Sequence, residues 1–483
     1  MHINDLPQEI LSDILLLAAK ANEEENAQFT YGLGEVEQPF QKAKLTKYVR
    51  GPLSAESLRW DATCAMRQVC HQWHEWSLSY NLEHVLERKW QGGERWTELT
   101  LKRNRYSFYE MMNDRRLSGH VCFQHHWQRL MDTDRLFSDV PAMANHVRRL
   151  WFNGFHATET DKLILSIVSH CTRLRYLTVP WTILRRATAE DWVNLLNAKT
   201  GSGNALESLE LTAQCLPHEQ AAELEHAETP SPLTDRRVDF SSLKRLKIFG
   251  NTLHKPICDA DMHLIARTAT NLECLDITNL STISVAGMLA LVRASSQTLQ
   301  VLEHSPRSDD GFYHPFPGHL ESGEHICGLI ASLPKMRDLS LSIPHMCSAL
   351  FANHDVQWAG ELQVRATDIC GCDSTTTPAI RVAGLQQTLT SVRKLLAHRR
   401  RMGHVLSAEL FFAGCIFQPE KKLVHGDFTL AEIRSNGRWP ESRQSSTRGP
   451  YGNTGTYGKE EGLWDAVSED AFTEAVTRGW IDM

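Results

Sequence analysis

The sequence predicts an α/β chain in which a short helical N-terminal module precedes an irregular solenoid of strand-and-helix units. Three observations point there. Residues 5–19 carry a broad apolar stripe at helical spacing, and a second such stripe occupies residues 58–78. From residue 147 onward a short alternating apolar pattern returns again and again, with helical segments between the copies.

The first stripe reads DLPQEILSDILLLAA. Asp5 suits an N-cap, Pro7 sits where a missing N–H costs nothing, and Glu9 lies in the first turn, where the helix dipole favours an acid. Leu6, Ile10, Ile14 and Leu17 recur at helical spacing, and Leu11 and Leu15 widen the stripe. So wide an apolar face needs partners on more than one side. Residues 22–56 then read as a loop-like insertion, punctuated by Gly32, Gly34, Pro39, Gly51 and Pro52. Helical character returns with Ala62, Met66, Val69, Trp73 and Trp76 on one side and Cys70 beside them.

These two pieces, Leu6-Pro7-Gln8-Glu9-Ile10-Leu11 and Met66-Arg67-Gln68-Val69-Cys70-His71-Gln72-Trp73, resemble the F-box. In that family Leu-Pro opens the first helix and a Val-Cys-x-x-Trp element lies in a later one. The insertion makes the spacing here longer than the family usual, at little extra cost in closure entropy. The resemblance implies docking to a Skp1-like adaptor and, through it, to a cullin within a Skp1–cullin–F-box ubiquitin ligase. Leu6, Pro7, Ile10, Leu11 and Ile14 match the family's Skp1-contacting helix, and Val69 and Trp73 the later element. Some of these side chains would form the module's core and some its interface.

The recurring pattern is an apolar residue, two residues, Leu, one residue, apolar residue. It appears as Val147-Leu150-Phe152, Leu174-Leu177-Val179, Leu206-Leu209-Leu211, Leu243-Leu246-Ile248, Leu272-Leu275-Ile277 and Met336-Leu339-Leu341. Leu299-Leu302-His304 is a degraded copy. The copies stand roughly 27–37 residues apart. Segments 161–170, 261–269 and 325–333 read as helices just before strands. One such unit cannot bury its apolar face alone, whereas stacked units share a core. The pattern resembles the leucine-rich repeat, whose long variants commonly follow an F-box. That family places Asn or Cys three residues after the last strand position; only Asn251 stands there in this chain, so other groups must satisfy the turn backbones. Segments 217–238 and 307–323 read as loops. Glu361 to Val364 and Ala408 to Phe417 read as further strands, and Leu385 to Leu396 as a helix.

The organisation expected is thus an F-box-like module over 1–80, a helical linker over 81–145, a leucine-rich-repeat-like solenoid over 146–436, a flexible linker over 437–461 and an amphipathic helix or cap over 462–483. The linker is rich in aromatics such as Trp90, Trp96, Tyr106 and Phe123. Its His120, Cys122, His125 and His126 match no ligand spacing, and Cys370-Gly371-Cys372 stands alone, so no metal site is expected. No catalytic group is expected either. His218-Glu219 lacks the second His of HExxH, and no strand is followed by GxGxxG or GxxxxGK[ST].

Composition limits the partners. Asp and Glu outnumber Lys and Arg, 58 to 51, for a net charge of -7, which offers nucleic acid no basic footprint. No apolar run is long enough to span a bilayer, and Met1 to Asp5 lacks a signal-like segment. The 12 cysteines are scattered, which fits a reducing cytoplasmic or nuclear setting. The reading that results is a non-enzymatic ligase adaptor without cofactor, whose repeats hold an unknown substrate protein. The alternative is a leucine-rich-repeat interaction scaffold with no ligase role.

Overall fold

The computed structural model describes residues 3, 6–31, 60, 62–88, 127–196, 205–213, 216, 218–225, 231–250, 254–278, 280, 282–305, 307–308, 311–312, 325–369, 378–404, 406–417, 424–430, 465–467 and 481–482. The chain forms two units. One takes Met1–Arg186, Asn197–Ala205 and Arg448–Gly452; the other takes Ala187–Leu196, Leu206–Thr447 and Asn453–Met483.

The first unit runs α1 (Gln8–Tyr31), α2 (His71–Leu82), β1 (His84–Arg88), α3 (Gln128–Asp139), α4 (Pro141–Ala144), β2 (Arg149–Asn153), α5 (Thr158–His170), β3 (Tyr176–Pro180) and α6 (Ile183–Arg186). Its strands lie side by side in chain order, all parallel, with His84 opposite Arg149 and Arg149 opposite Tyr176. One backbone device sets that register. The carbonyl of Glu83 accepts from both Arg148 N and Arg149 N, at 3.0 and 2.9 Å, and the carbonyl of Arg148 accepts from Arg175 N and Tyr176 N. Side chains add to it. Glu87 of β1, buried, accepts from Thr133 Oγ1 at 2.7 Å and pairs with Arg129, which fastens α3. Asp161 at the start of α5 receives Thr182 Oγ1 at 3.1 Å and Arg186 Nη1 at 2.8 Å, out of contact with water.

The second unit runs α7 (Ala189–Leu196), β4 (Ser208–Ala213), α8 (His218–Glu225), β5 (Arg245–Gly250), α9 (Asp259–Ala266), β6 (Cys274–Thr278), α10 (Val285–Ala294) and β7 (Val301–Ser305). The small pair β8 (Arg307–Ser308) and β9 (Gly311–Phe312) follows, then α11 (Ile326–Ala331), β10 (Asp338–Met346), β11 (Gly360–Ile369), α12 (Pro378–Arg401) and β12 (Leu406–Phe417). Last come β13 (Val424–Leu430), β14 (Asp465–Val467) and β15 (Ile481–Asp482). The sheet order is β4-β5-β6-β7-β10-β11-β12-β13-β14, parallel as far as β12. β13 and β15 pair with β12 antiparallel.

The double-donor carbonyl recurs here at Glu207, Lys244, Glu273 and Gln300, each receiving two N–H groups from the start of the next strand. Leu209, Leu246, Leu275, Leu302 and Leu339 stand in register and are buried, as are Leu211, Ile248, Ile277 and Leu341 two residues on. Period-two alternation places both rows on one face of the sheet, and each fully buried Leu contributes about 1.5–3 kcal/mol. Side chains also tie the turns that precede β5 and β6. Thr268 Oγ1 accepts from Phe240 N, Asn271 donates to Ser241 O, Ser295 Oγ donates to Ala269 O, and Thr298 Oγ1 donates to Leu272 O.

The structure corrects the predicted architecture. The chain is α/β, with helices interleaved between parallel strands, and not a helical F-box module followed by a leucine-rich-repeat solenoid. The N-terminal helices share one unit with three parallel strands, so no separate helical module ends near residue 80. β1 explains the misreading: HVLER lacks the apolar pattern, yet pairs with β2 immediately after α2. Nor are the later units alike, since helices of 6 to 24 residues and strands of 5 to 12 separate and compose them.

Smaller differences have local causes. α1 continues to Tyr31, well into the predicted insertion, where Glu23, Glu24, Glu25, Ala27 and Gln28 are good helix formers. Within the predicted loop 217–238, α8 forms around the buried pair Ala221 and Leu224. Asp465–Val467 and Ile481–Asp482 are strands where a C-terminal helix was expected. The remainder of that segment, the 437–461 linker, Cys370-Gly371-Cys372 and the histidines between 120 and 126 lie outside the described residues.

Candidate functional site

The broad stripe of α1 divides into two lines. Leu11, Leu15 and Ala19 turn inward and meet Met66, with Trp73, Trp76 and Tyr80 packed against them. Trp76 donates from Nε1 to Ser12 Oγ at 2.9 Å and stacks on Tyr80 at 5.3 Å between ring centroids. Asn22 Nδ2 donates to Ala62 O at 2.9 Å, and buried Asn81 donates to Thr63 Oγ1 at 2.7 Å. The bonds at Ser12 and Asn22 fix how α1 rotates about its own axis, and that rotation decides which residues face out.

Facing out are Ile10, Ile14 and Leu17, at i, i+4 and i+7, with Leu17 68% exposed and Ile10 50%. Val69, in the turn before α2, is also exposed, as is Ile3. A line of large aliphatic side chains in water is the kind of surface that marks a protein contact. Of the residues matched to the docking element, then, Leu11 is core, Leu6 and Trp73 are half-buried, and Pro7, Ile10, Ile14 and Val69 are exposed.

The second unit has the opposite peculiarity. On the sheet face away from the leucine rows, Glu210, Lys247, Asp276, Glu303, Ser340 and Gln363 stand in register across six strands. All six are buried. Opposite charges at Glu210, Lys247 and Asp276 are neighbours in this row, which offsets part of their desolvation. Burial, and then the nearby Asp276 carboxylate, push the Cys274 thiol up, so it stays protonated and is a poor nucleophile. Burial likewise pushes Cys171 up to about 12. His304 takes the place of an aliphatic residue between Ile277 and Leu341 in the apolar row. It donates from Nδ1 to Ser342 O at 3.3 Å, and burial lowers its pKa, keeping the ring neutral.

Sequence reasoning assigned no metal ligand, whereas the structure brings His325, Cys327 and Cys347 together. Only the His-x-Cys spacing was visible in the chain; Cys347 arrives from beyond β10. No helix among the described residues is long and apolar enough to cross a membrane. No protein-family model matches the chain, and no curated protein matches it either.

Proposed function

We propose that this protein is a non-enzymatic adaptor that docks through its N-terminal helices to a Skp1-like protein, and through that protein to a cullin. The remainder of the chain holds a substrate protein for ubiquitin transfer, whose chemistry belongs to the partners. A cytoplasmic or nuclear setting goes with this role, and the acidic charge balance argues against nucleic acid as the client.

The observation that supports the reading is the outward line Ile10, Ile14 and Leu17. A helix that served only to close the end of a sheet would turn its whole apolar face inward. Here Leu11, Leu15 and Ala19 already fill the inward side, so the second line has no structural need of its own. Two of its residues, Ile10 and Ile14, are among those matched to the F-box helix, and Leu17 extends the line by one turn.

The test is binding of the full chain to purified Skp1, beside an Ile10→Ser/Ile14→Ser variant with unchanged circular dichroism. Both positions are exposed, so the variant keeps its fold. Tight binding by the wild type and a loss of tenfold or more in the variant is the expected result. A folded wild type that fails to bind at tens of micromolar, roughly 6–7 kcal/mol of binding free energy, would overturn the ligase role and leave an interaction scaffold.

A further inference from the structure

We infer that His325, Cys327 and Cys347 form a zinc site. The three ligand atoms, an imidazole nitrogen and two sulfurs, lie within 4.8 Å of one another. His325 Nε2 stands 3.1 Å from Cys347 Sγ. Tetrahedral zinc with bonds of about 2.0–2.1 Å to nitrogen and 2.3 Å to sulfur holds its ligands about 3.5–3.8 Å apart. Small side-chain adjustments reach that geometry from the one seen here.

The backbone around the cluster is well anchored. His325 immediately precedes α11, whose Ile326, Ile330 and Ala331 are buried, and Cys327 is buried in its first turn. Cys347 follows β10 and opens a 3-10 turn, Ser348–Phe351, pinned by buried Leu350 and Phe351. Phe351 meets Trp358 edge-on at 6.5 Å. At residue 328 the chain has glycine. A Cβ there would stand 3.2 Å from His325 Nδ1, so glycine gives the ring room to lie against the helix while Nε2 faces the sulfurs.

The donor set selects the metal. Two thiolates and an imidazole are soft to borderline ligands that suit zinc and disfavour magnesium or calcium, which take oxygen. With three protein ligands the fourth position falls to water or to a side chain of a bound protein. His325 is exposed, so that position is reachable from solvent. On binding, each cysteine gives up its thiol proton: Cys347 Sγ–H and Cys327 Sγ–H become thiolates, two protons pass to buffer, and Zn2+ takes both sulfurs and the His325 nitrogen. Cys327 Sγ now donates to His345 O at 3.7 Å, a weak bond that metal would replace. Bound zinc would clip α11 to the end of β10.

The test is titration of the reduced full-length chain with Zn2+, and with Co2+ as a spectroscopic substitute, in parallel with His325→Ala, Cys327→Ser and Cys347→Ser. The wild type should bind one Zn2+ tightly. Its cobalt form should show tetrahedral d–d bands and thiolate-to-metal charge transfer. Each variant should weaken that binding by more than the roughly 10–100-fold that loss of an outer-shell partner costs. His325→Ala is the safeguard, because an exposed position changes the metal site without disturbing the fold. Three results would overturn the proposal: no stoichiometric zinc in the reduced wild type, wild-type affinity in all three variants, or cobalt spectra without sulfur charge transfer.

Discussion

The N-terminal helices and the sheet of the second unit break the usual rule of burial in opposite directions. α1 leaves Ile10, Ile14 and Leu17 in water, while the sheet keeps Glu210, Lys247, Asp276 and Glu303 out of it. The two departures have different energetic meanings. An exposed aliphatic side chain makes few contacts within its own chain, so the fold barely depends on it and a partner can use it. A buried charge depends on its surroundings for every kilocalorie lost from hydration, so the fold constrains it tightly. The first region is therefore free to carry recognition, and the second is committed to structure.

The comparison is most directly broken in the sheet. Leu275→Ala, at the centre of the leucine row, should destabilise the second unit by about 3 kcal/mol, within a usual range of about 2–5. Chemical denaturation monitored by fluorescence measures it; a loss below about 1 kcal/mol would mean the row is loosely packed.

A smaller effect should come from His304. Its pKa when folded lies below the ordinary 6.5, so below that pH the unfolded chain takes up a proton that the folded chain refuses. Stability then falls with pH until the folded pKa is reached. His304→Leu removes the group, and the wild type should lose about 1 kcal/mol relative to the variant between pH 7 and 5.5. Parallel curves for the two proteins would show that the ring is protonated in the fold or reached by water.

The smallest effect sharpens the contrast. Ile14→Ser should change stability by no more than about 0.5 kcal/mol, since the residue is outward-facing. A loss of about 2 kcal/mol or more in thermal unfolding would place Ile14 against something and remove the basis for a docking surface.

Legibility in the sequence followed the range of the interactions involved. Strands β2 to β7 and β10 each coincide with a copy of the apolar pattern, because alternation is written into neighbouring residues. Even the degraded copy at Leu299-Leu302-His304 is a strand. β1 was not legible, because its place in the sheet comes from pairing with residues 149–153 and not from its own five residues. The helical stripe of α1 was plain, but its division was not. Whether Ile10 or Leu11 faces in depends on where Met66 and Trp76 arrive, some fifty to sixty-five residues later. His325 and Cys347 illustrate the same limit, since a strand and a helix intervene. The assembly of these elements was the larger error, because like strand patterns do not require like units.

The carbonyl that receives two N–H groups at the start of β2, β3, β5, β6, β7 and β10 reaches beyond register. It works as an index mark: the chain may wander for as long as it needs after one strand, provided it returns to the mark left by the last. Such a sheet separates the question of where a strand begins from that of how long the preceding excursion was. Insertions in the excursions can then accumulate over evolutionary time without turning a single leucine to the wrong face, whereas one residue gained between mark and strand would turn that strand's whole apolar set over.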